Sequence, residues 1–463
     1  MAAIERSAIG IGLLGCGTVG RGVLETLAAG KERFAARLGR PLAVRRILVR
    51  DLEKPRGDLV PRGLLTTNFE AVLRDPEIDV IVEVMGGVEP AHEYLKTAFA
   101  AGKHVVTANK ELLAKRGAEL LAAANRAAVS LRFEASVAGG IPILKALRES
   151  LAANSFTQVM GIVNGTTNFI LTAMSETGQD FAEALEEARA LGYAEADPSS
   201  DIEGHDAAYK LAILAAAAFR IQVRVENIYR EGISAVAASD ITYARELGYA
   251  IKLLAVAHAA RAKEPRGNMA ALRAGTDANA GAVGLWVRPS LVPLRHPLAA
   301  VKNSFNAVFV SGDAAGELMF YGRGAGSLPT ASAVVGDLLE VAGIPRGAGA
   351  GAGSWADSES WQVAGAGRLV PVEDVERQFY VRTSVADRPG VLARIAGLFG
   401  SHGVSLSTVI QKGTDRPSVP LVFVTHRIPE GNLRAALREI AELPVVDRID
   451  SVMPLENGES GEA

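Results

Sequence analysis

The chain has 463 residues, of which 49% are hydrophobic, so it is long enough for two or three domains with large apolar cores. Its formal net charge of −3 gives no electrostatic basis for binding nucleic acid or an anionic membrane. Cys16 is the only cysteine, so no disulfide can form within the chain, and we expect a reducing cytoplasm. No apolar run approaches the ~20 residues that a membrane helix needs, and residues 9–20 lack the basic segment that precedes a signal-peptide core.

A glycine-rich turn lies between a predicted strand at 8–14 and a helical pattern that runs from residue 19 to about residue 37. It reads G-C-G-T-V-G, which fits the G-x-G-x-x-G pattern of dinucleotide-binding proteins. Glycines let the backbone approach a pyrophosphate, and the helix N-terminus offers it free N–H groups. A tight turn in a glycine-rich chain is the alternative, but the strand–turn–helix context favours a nucleotide site. The residues that we expect to bind the cofactor here are Gly15, Gly17, Thr18, Val19 and Gly20.

The choice between NAD and NADP depends on the end of the second predicted strand, at 44–49, where Arg50 and Asp51 are adjacent. An acidic residue there would bind a ribose 2′-hydroxyl, whereas an arginine would favour a 2′-phosphate. We favour NADP, bound through Arg50, and NAD stays open through Asp51. Either side chain could instead belong to a solvated strand end.

Two further predicted strands, at 79–84 and 103–107, end in residues that could face the cofactor, because ligands of open α/β sheets bind outside the carboxyl ends of the strands. Gly86 follows the first of these strands, and we expect it to border the cofactor. Lys110 follows the second and could face phosphate, nicotinamide or substrate. On position alone, a surface lysine that opens the next helix is equally consistent.

Two irregular glycine-rich segments come later in the chain. Residues 136–142 follow the fifth predicted strand, at 129–135, and could present carbonyl oxygens to a hard cation, with Glu134 as a charged ligand. Without other evidence a plain connection is the favoured interpretation. Residues 322–330 precede a predicted helix at 330–342 that could return to the nucleotide domain and close over the cofactor. We therefore include Gly324 among the predicted cofactor contacts.

A polar cluster of small donors, residues 164–168, follows the predicted strand at 158–163 and precedes a predicted helix. Small hydroxyl and amide groups in this position suit the recognition of a polar small molecule. We expect Gly165 and Thr166 to contact the substrate. The same cluster could serve as a helix N-cap, and the two roles are compatible.

Residues 189–219 place several acids and Lys210 directly before an apolar run at 211–219, which predicts a buried helix. Unpaired charge is costly to bury, so this arrangement indicates a site. The S-x-x-E pattern at 200–203 fits a capping box and predicts a helix start near residue 200. Asp206 and Lys210 are then four residues apart on one face. Spacing alone favours an ordinary intrahelical ion pair, worth about a few tenths of a kcal/mol at a surface.

These elements predict an α/β protein with three parts: an N-terminal Rossmann domain that binds a dinucleotide, a central α+β substrate and dimerisation domain, and a C-terminal βαββαβ unit of ferredoxin-like fold. The predicted boundaries are 1–142 for the Rossmann domain, 143–322 for the central domain, 323–345 for the returning helix, 346–378 for a glycine-rich linker and 379–454 for the last unit. The last unit carries no catalytic constellation of its own.

Several of these segments resemble one family, homoserine dehydrogenase. The resemblance lies in the glycine turn at 15–20, in T-A-N-K at 107–110, in 134–142, in G-I-V-N-G-T-T-N at 161–168 and above all in 192–210, which begins G-Y-A-E-A-D-P. The segment D-R-P-G-V-L at 387–392 looks like part of an ACT regulatory domain. The resemblance covers nearly the whole chain. It implies NAD(P)H-dependent reduction of L-aspartate 4-semialdehyde to L-homoserine, in the biosynthesis of threonine, methionine and isoleucine.

The resemblance also implies catalytic roles. Lys210, paired with Asp206, would donate the proton to the developing alkoxide. Lys110 would lie where nicotinamide and substrate meet and could share this proton transfer. A lysine desolvated at a helix mouth can have a lowered pKa, and we hypothesise this for Lys210.

The resemblance further implies a set of ligand contacts. Glu195 would bind the substrate ammonium group, with Tyr193 and Asp201 nearby. A sodium ion would be bound, mostly by backbone carbonyls, at Glu134, Val137, Gly139 and Ile141. The ACT domain implies an amino-acid effector such as threonine, although residues 403–405 lack the asparagine with which many ACT domains bind one. Paired subunits, in a homodimer or a homotetramer, are expected.

Two other functions match less well. An acylating semialdehyde dehydrogenase would need a catalytic cysteine, and Cys16 lies in the dinucleotide turn. A non-catalytic NADP-binding sensor with an amino-acid-binding tail is the alternative. The set of Glu195, Asp206 and Lys210 argues against it, because a sensor needs no proton donor.

Overall fold

The computed structural model describes residues 8–259, 282–344, 369–412 and 418–456. Their contacts divide the chain into two compact units. The first unit contains residues 8–155, 212–225 and 320–344, and the second unit contains residues 156–211, 226–259, 282–319, 369–412 and 418–456. Most of the predicted linker, residues 346–368, lies outside the described residues.

The described residues form fourteen α-helices and eighteen β-strands. The helices are α1 (Thr18–Ala29), α2 (Lys31–Leu38), α3 (Phe69–Leu73), α4 (Ala91–Ala100), α5 (Lys110–Arg126), α6 (Ile143–Lys145), α7 (Gly165–Thr177), α8 (Phe181–Ala190), α9 (Ser199–Ile202), α10 (His205–Phe219), α11 (Ala238–Glu246), α12 (Ser327–Ala342), α13 (Val391–Ser401) and α14 (Glu430–Ala441). The strands are β1 (Ile9–Leu14), β2 (Leu42–Leu48), β3 (Leu65–Thr66), β4 (Val80–Glu83), β5 (His104–Thr107), β6 (Leu131–Arg132), β7 (Phe156–Ile162), β8 (Tyr229–Arg230), β9 (Tyr249–Ala259), β10 (Val283–Pro293), β11 (Phe305–Gly312), β12 (Gly316–Arg323), β13 (Leu369–Val370), β14 (Glu376–Ala386), β15 (Leu406–Gln411), β16 (Ser418–Thr425), β17 (Ile428–Pro429) and β18 (Val446–Leu455).

The sheet of the first unit is parallel, and its described strands follow the order β3-β2-β1-β4-β5-β6. This is the strand order of the doubly wound dinucleotide-binding fold, in which ligands bind outside the carboxyl ends of the strands, where the order reverses. The reversal falls between β1 and β4. The turns after β1 and β4 therefore border the expected ligand crevice, and the predicted Rossmann fold is confirmed.

The β1 strand is buried along its whole length, as the sequence I-G-I-G-L-L predicts for a parallel strand covered on both faces. It shares a hydrophobic core with α12, through Ala331, Val334 and Leu338. A Cβ on Gly22 of α1 would lie 2.6 Å from the carbonyl oxygen of Ser327, the first residue of α12. Glycine at this position therefore allows α1 and α12 to pack closely.

The second unit is built on a mixed sheet that runs in the order β11-β7-β9-β10-β18-β14-β16-β15. The strands β11, β7, β9 and β10 pair antiparallel, and so do β18, β14, β16 and β15. The two groups join where β10 runs parallel to β18, at Leu291 and Leu455. With α13 after β14 and α14 before β18, the second group has the predicted βαββαβ order, and the ferredoxin-like fold is confirmed.

Buried ion pairs join the ferredoxin-like part of the second unit to its central part. Arg382 of β14 donates through Nε and Nη2 to the two carboxylate oxygens of Asp240, at 2.7 and 3.0 Å, and Asp240 is fully buried. Arg288 of β10 donates through Nη1 to Glu430 at the start of α14, at 2.9 Å. Removing one partner of a buried pair costs about 3–5 kcal/mol because it leaves a charge buried and unpaired, so each part of the unit neutralises a buried charge of the other.

The helical pattern over residues 19–37 proves to be two helices, α1 and α2, with Gly30 between them. The ring of Phe34 occupies the space where a side chain at Gly30 would lie, 2.2 Å from the Cβ position. Glycine inside a helix costs about 1 kcal/mol relative to alanine, so this is a weak point of the pattern. Because the Phe34 ring packs against Gly30, the helix is interrupted at this residue.

The strand predicted over residues 129–135 is much shorter, because β6 contains only Leu131–Arg132. Beyond it the N–H of Glu134 donates to the carboxylate of Asp337, in α12, at 2.8 Å. A side chain of another element therefore takes the hydrogen bond that a neighbouring strand would have made. The chain then turns through a short 3₁₀ helix at Glu134–Ser136.

Candidate active site

The glycine turn after β1 has the backbone that a pyrophosphate requires. Gly15 lies in the left-handed region, with φ +99°, and a Cβ on Gly20 would lie 2.3 Å from its carbonyl oxygen. Both positions therefore need glycine. Among the described residues nothing lies within 4 Å of the Cβ position of Gly17, and no side chain caps the N-terminus of α1. The first amides of α1 are thus accessible to an anion, and the turn fits the phosphates of a dinucleotide.

A buried carboxylate that the sequence interpretation missed holds the turn after β4. Glu83 is fully buried and accepts hydrogen bonds from the Thr107 hydroxyl at 2.5 Å and from the backbone N–H two residues on at 2.8 Å. Burial raises the pKa of Glu83, and these hydrogen bonds oppose the rise. The Asn109 side chain donates to the carbonyl oxygen of Gly87 at 2.7 Å. These contacts fix the loop that contains the predicted cofactor residue Gly86, whose φ is +76°. An acid within the apolar strand V-I-V-E is the sequence signal for this network.

Lys110, predicted to meet the cofactor, is the first residue of α5 and lies three residues after the end of β5. Its position depends on Asn109, the N-cap of α5, whose Oδ1 accepts a hydrogen bond from the N–H of Leu112 at 3.1 Å. Lys110 is half-buried. The cap therefore fixes the backbone of Lys110 at the sheet edge where this fold binds its ligands.

Arg50 and Asp51 are both exposed after β2. The carboxylate of Asp51 accepts a hydrogen bond from the backbone N–H two residues on, at 2.8 Å, and its carbonyl oxygen accepts one from Arg56 at 2.5 Å. Asp51 therefore stabilises the loop in which it lies. Burial raises the pKa of the Cys16 thiol, and the positive charges of Arg56 and Arg21 oppose that rise. These two arginines, which the sequence interpretation did not select, thus lie near the glycine turn.

The predicted cation site is a buried turn around Glu134. Its carboxylate accepts hydrogen bonds from the backbone N–H groups of residues 144 and 145, at 2.9 and 2.8 Å, in the first turn of α6. Burial raises the pKa of Glu134 to about 7. Val137 and Ile141, which follow Glu134 in the chain, are buried. No cluster of three histidine, cysteine or acidic side chains occurs among the described residues, so a cation here would depend on backbone carbonyls. A bound cation would stabilise the ionised form of Glu134, whose two carboxylate oxygens already accept these backbone hydrogen bonds.

The same turn contacts the second predicted glycine loop. Ala138 and Gly139 both lie in the left-handed region, with φ +52° and +48°. A Cβ on Gly139 would lie 2.5 Å from the carbonyl oxygen of Gly324, and the N–H of Gly140 donates to the carbonyl oxygen of Arg323 at 3.1 Å. The structure thus brings together Gly139, a predicted cation ligand, and Gly324, a predicted cofactor contact.

The helix that carries the predicted catalytic pair does not begin at the predicted capping box. The helix α9 is a single turn, and α10 begins at His205. Between them Gly204 has φ +80°, and a Cβ there would lie 3.1 Å from a methyl group of Val287. A packing contact with a distant strand therefore sets the start of α10, and the prediction of a helix start near Ser200 is wrong for it.

Asp206 and Lys210 form a buried ion pair in the first turns of α10. The Nζ of Lys210 donates to Asp206 Oδ2 and to the carbonyl oxygen of Val163, both at 2.7 Å. The side chains of Asp206 and Lys210 are only 5% and 9% exposed. The ordinary surface pair that spacing alone favoured is therefore wrong. Desolvation of two charges can exceed their mutual attraction, so stability alone does not explain the pair.

Asn164 holds the carboxylate of this pair, and the sequence interpretation did not select it. Its Oδ1 accepts a hydrogen bond from the N–H of Thr167 at 2.9 Å, which caps α7. Its Nδ2 then donates to Asp206 Oδ2 at 2.9 Å and to Asp201 Oδ1 at 2.7 Å. The cap fixes which end of the amide faces the carboxylates. The predicted polar cluster contains Asn164, but its two partners lie 37 and 42 residues away, and no local pattern indicates them.

Three predicted substrate residues meet at Asp201. The hydroxyl of Thr166 lies 3.1 Å from Asp201 Oδ2 and 2.8 Å from the carbonyl oxygen of Tyr193, and it can donate to one of them at a time. Tyr193 is 42% exposed, and its ring lies against that of Phe169, with the centroids 4.7 Å apart. The three residues are joined to the Asp–Lys pair through Asn164.

Two other predicted substrate residues have different surroundings. Glu195 is exposed, on the connection between α8 and α9. Gly165 begins α7, and a Cβ there would lie 2.8 Å from the carbonyl oxygen of Ser304. The close approach of this carbonyl oxygen is therefore sufficient to explain why residue 165 is a glycine.

A parallel dinucleotide-binding unit, with a second unit that holds a positioned lysine among acidic groups, defines a nicotinamide-dependent oxidoreductase of a polar small molecule. Three family models match the chain: the homoserine dehydrogenase NAD binding domain over residues 15–134, homoserine dehydrogenase over 142–339 and the ACT domain over 379–445. The chain belongs to the homoserine dehydrogenase family.

Relatives match the chain over nearly its whole length. The homoserine dehydrogenase of Corynebacterium glutamicum is 45% identical over 455 residues, which are 97% of this chain and 96% of that protein. A solved homoserine dehydrogenase from Thiobacillus denitrificans has a TM-score of 0.86 at 43% identity, and the match covers 97% of this chain and 98% of that one. A hyperthermophilic archaeal homoserine dehydrogenase, solved in complex with NADPH, has a TM-score of 0.58 at 28% identity over 73% of this chain and 99% of that one.

The predicted family, fold class and activity are therefore confirmed. The enzyme reduces L-aspartate 4-semialdehyde to L-homoserine with a nicotinamide cofactor, and it carries an ACT domain. The alternative of a non-catalytic sensor is not favoured. Among the described residues no helix combines the length and the apolar character that crossing a membrane requires.

Proposed function

We propose that Lys210 is the proton donor of this reduction. When bound, the reduced nicotinamide supplies a hydride to the aldehyde carbon of the substrate, and negative charge develops on the carbonyl oxygen. The ammonium of Lys210 gives a proton to that oxygen, which leaves the homoserine hydroxyl and a neutral lysine. The buried pair with Asp206 carries this proposal, because it positions Nζ at 2.7 Å from two oxygens of the protein. A positioned acid contributes about 10²–10⁴-fold to a rate.

Asp206 has two effects on Lys210 in this mechanism. It fixes the direction of the ammonium group, since its own Oδ2 is held by Asn164 at 2.9 Å. Its negative charge also opposes the lowering of the Lys210 pKa that we hypothesised from desolvation, because a carboxylate within hydrogen-bonding distance stabilises the positive charge.

We assign the substrate ammonium group to the acidic residues around Asp201. Asp201 is oriented by Asn164 at 2.7 Å and by Thr166 at 3.1 Å, so its carboxylate has a defined direction. Glu195 follows Tyr193 in the exposed connection between α8 and α9 and supplies a second negative charge. Two carboxylates match the single positive charge of the substrate and discriminate against substrates that lack it.

We propose NADP as the preferred cofactor, with Arg50 on the 2′-phosphate. Asp51, the residue that would bind a 2′-hydroxyl, has its carboxylate engaged with its own loop at 2.8 Å. Arg21 and Arg56 add positive charge near the glycine turn. The archaeal relative solved with NADPH supports the same choice.

Three further assignments complete the proposal. Lys110 meets the nicotinamide or the substrate from the start of α5, and Gly86 and Gly324 border the cofactor. A monovalent cation such as Na⁺ binds in the turn that contains Glu134, Val137, Gly139 and Ile141. The enzyme acts in the cytoplasm as a homodimer or homotetramer, and sedimentation of the pure protein at micromolar concentration tests the oligomer.

We also propose that an amino acid regulates the enzyme through its ACT domain. The ACT match over 379–445 supports an amino-acid ligand. The pairs Arg382–Asp240 and Arg288–Glu430 tie that domain to the central part within one compact unit, so a ligand on one can act on the other. Activity that stays constant across millimolar threonine, methionine and isoleucine would contradict this regulation.

Steady-state oxidation of NADPH with L-aspartate 4-semialdehyde tests the proton donor. We expect Lys210→Ala to lower kcat by about 10²–10⁴-fold, with NADPH binding, measured by fluorescence, retained. Lys252 offers a matched control, because it is a second buried lysine of the same unit and donates to neutral oxygens of Asn168 and Val301. Lys252→Met should lower stability without a comparable loss of kcat. Near-normal turnover in Lys210→Ala, with the substrate still bound, would show that another group supplies the proton.

A further inference from the structure

A cavity lies in the second unit, between the ACT helix α14 and the central strands β8 and β10. Its volume is about 690 Å³, and its lining includes Tyr229, Arg288, Glu430 and Arg434. Cavities of about 300–1,000 Å³ are usual for small-molecule ligands. None of these residues belongs to the candidate active site described above, and the cavity is here called the α14 cleft.

Three arginines and three glutamates line the α14 cleft, and two of the arginines meet at one glutamate, Glu430. Arg288 Nη1 donates to Glu430 Oε1 at 2.9 Å, and Arg434 donates to the same oxygen through Nε and Nη2, at 3.0 and 2.7 Å. One carboxylate thus faces two guanidinium groups. Arg288 is only 1% exposed, and its Nε is buried without a hydrogen-bond partner among the described residues. A buried N–H group without a hydrogen-bond acceptor lowers the stability of the folded protein. The carboxylate of a ligand would supply the acceptor.

Negative charge and apolar surface lie in the same cleft. Glu231 lines it and accepts a hydrogen bond from the Tyr229 hydroxyl. Leu437 and Val452 give the cleft an apolar floor. The Arg288 and Arg434 guanidinium groups, the Glu231 carboxylate and the apolar floor are together complementary to a zwitterion that carries an aliphatic side chain.

We propose that the α14 cleft binds an aliphatic α-amino acid, with its carboxylate on Arg288 and Arg434, its ammonium group on Glu231 and its side chain on the apolar floor. This inference rests on the amino-acid regulation proposed above and gives that regulation a site. The site is separate from the turn at 387–392. Ala386, at the end of β14, pairs with the first residue of β16, whereas Glu430 and Arg434 lie at the start of α14, which begins beyond the other end of β16.

The strand β8 connects the cleft to the turn that precedes α10. Tyr229 and Glu231 line the cleft, and Arg230 lies between them. Successive side chains of an extended chain point to opposite sides. Accordingly, Arg230 Nη1 donates to the carbonyl oxygen of Glu203 at 2.6 Å, away from the cleft.

The residues that follow β8 hold the same turn. The N–H of Ile233 donates to the carbonyl oxygen of Ile202 at 2.8 Å, and a Cβ on Gly232 would lie 2.5 Å from that oxygen. The turn lies between Asp201 and Asp206, the two carboxylates that Asn164 holds. A ligand that draws Glu231 towards it therefore acts on the backbone that positions both carboxylates, and the enzyme responds with a change in kcat.

Titration calorimetry on the full-length enzyme, with L-isoleucine, L-methionine and L-threonine as probes, tests the location. We expect Arg434→Gln to weaken binding by about tenfold or more, the usual loss for a charge-assisted hydrogen bond. Arg388→Gln is the matched control, because Arg388 is an exposed arginine of the same domain in the 387–392 turn. It should leave the affinity unchanged. Val452→Trp, which fills the cleft and keeps every charge, should also abolish binding, with thermal unfolding as the check on folding.

Changes to the ligand test the assigned contacts without altering the protein. The amide of the amino acid lacks the carboxylate, and the corresponding 2-oxo acid lacks the ammonium group, so each should bind more weakly than the parent by about tenfold or more. Arg230→Leu tests the connection to the active site, since it should keep the affinity of the effector and lose most of its effect on kcat.

The outcomes separate this inference from the regulation on which it rests. Binding that survives Arg434→Gln and Val452→Trp but is lost in Arg388→Gln overturns the α14 cleft and keeps the regulation. An enzyme that binds none of the three amino acids, and whose kcat none of them changes, overturns the regulation and the cleft together. Loss of binding in both cleft variants, with the control intact, supports the site.

Discussion

Asn164→Ser separates the two roles of Asn164. As the N-cap of α7, Asn164 accepts a hydrogen bond from the N–H of Thr167 at 2.9 Å, and a serine hydroxyl can accept the same bond. As a donor, its Nδ2 holds Asp206 at 2.9 Å and Asp201 at 2.7 Å. The serine side chain is shorter and its hydroxyl has a single proton to donate. This substitution therefore keeps the cap and removes the hydrogen bonds to the two carboxylates.

The expected magnitude follows from these bonds. A hydrogen bond to a charged group contributes about 1.5–3 kcal/mol. If the bond from Asn164 to Asp206 keeps Lys210 aimed at the substrate oxygen, its loss should lower kcat by about 10–150-fold. Asn164→Ala loses the same donors and also the cap, so its kcat should match that of the serine variant. Its free energy of unfolding should be lower by about a further 1 kcal/mol.

The assay combines NADPH oxidation with urea unfolding of the same protein samples. Asp180→Ala provides the control, because Asp180 is an exposed N-cap of α8, in the same unit, and accepts a hydrogen bond from the N–H of Glu183 at 3.0 Å. That variant should lose about 1 kcal/mol of stability and keep the kcat of the wild type. The pH profile of kcat should shift in Asn164→Ser but not in Asp180→Ala, since only the first changes the surroundings of Asp206 and Lys210.

One result would refute this reasoning. If Asn164→Ser kept the kcat, the KM and the pH profile of the wild type while Asn164→Ala lost only stability, Asn164 would be a helix cap and nothing more. The contacts to Asp201 and Asp206 would then have no part in positioning Lys210.

Three further perturbations follow from single contacts. Arg50→Ser should lower kcat/KM for NADPH by about tenfold or more and leave that for NADH nearly unchanged, and equal losses with both cofactors would contradict the 2′-phosphate role. The pKa of Glu134, about 7 in the folded enzyme, lies above its ordinary value of 4.5, so the stabilisation from its bound proton is full below pH 4.5 and is lost as the pH rises through 7. In buffer without sodium, Glu134→Gln should therefore reduce the fall in unfolding free energy between pH 5 and pH 8, by up to roughly 3 kcal/mol in urea titrations, and an unaltered fall would mean that Glu134 does not carry this proton. Gly139→Ala should cost about 1–3 kcal/mol more than Gly178→Ala in thermal unfolding, because both have positive φ but only the first would place a Cβ 2.5 Å from the carbonyl oxygen of Gly324. Equal losses would mean that the backbone conformation alone sets the cost.

The strands and the glycine turn of the first unit could be predicted because their signals are local. Parallel strands covered on both faces are continuous apolar runs, as β1 and β4 are, and G-x-G-x-x-G between a strand and a helix has few other uses. Helix ends were less predictable because distant contacts set them. The start of α10 depends on Gly204 against Val287, and no pattern around residue 200 contains that information.

The charged residues of the candidate active site could be predicted from the sequence, but the hydrogen bonds between them could not. Asp206 and Lys210 could be selected from their position before an apolar run. Whether they lay on a surface or in the interior depended on Val163, whose carbonyl oxygen accepts the second hydrogen bond of Lys210. Asn164 and Glu83 escaped selection for the same reason, since each is defined by partners that only the fold brings close.

Two lysines of the second unit are buried among its described residues, and their partners distinguish them. Lys252 donates to neutral oxygens, and burial, with the nearby charge of Lys302, lowers its pKa to about 8. Lys210 donates to the carboxylate of Asp206 and so belongs to an ion pair. Replacing a buried ion pair by apolar residues of similar volume is often neutral or stabilising, so stability gives little reason to keep Asp206 and Lys210. The proton-donor role that we propose for Lys210 would give the pair a use in every turnover. Lys252 instead ties α7, through Asn168, to the loop after β10, and structure alone accounts for it.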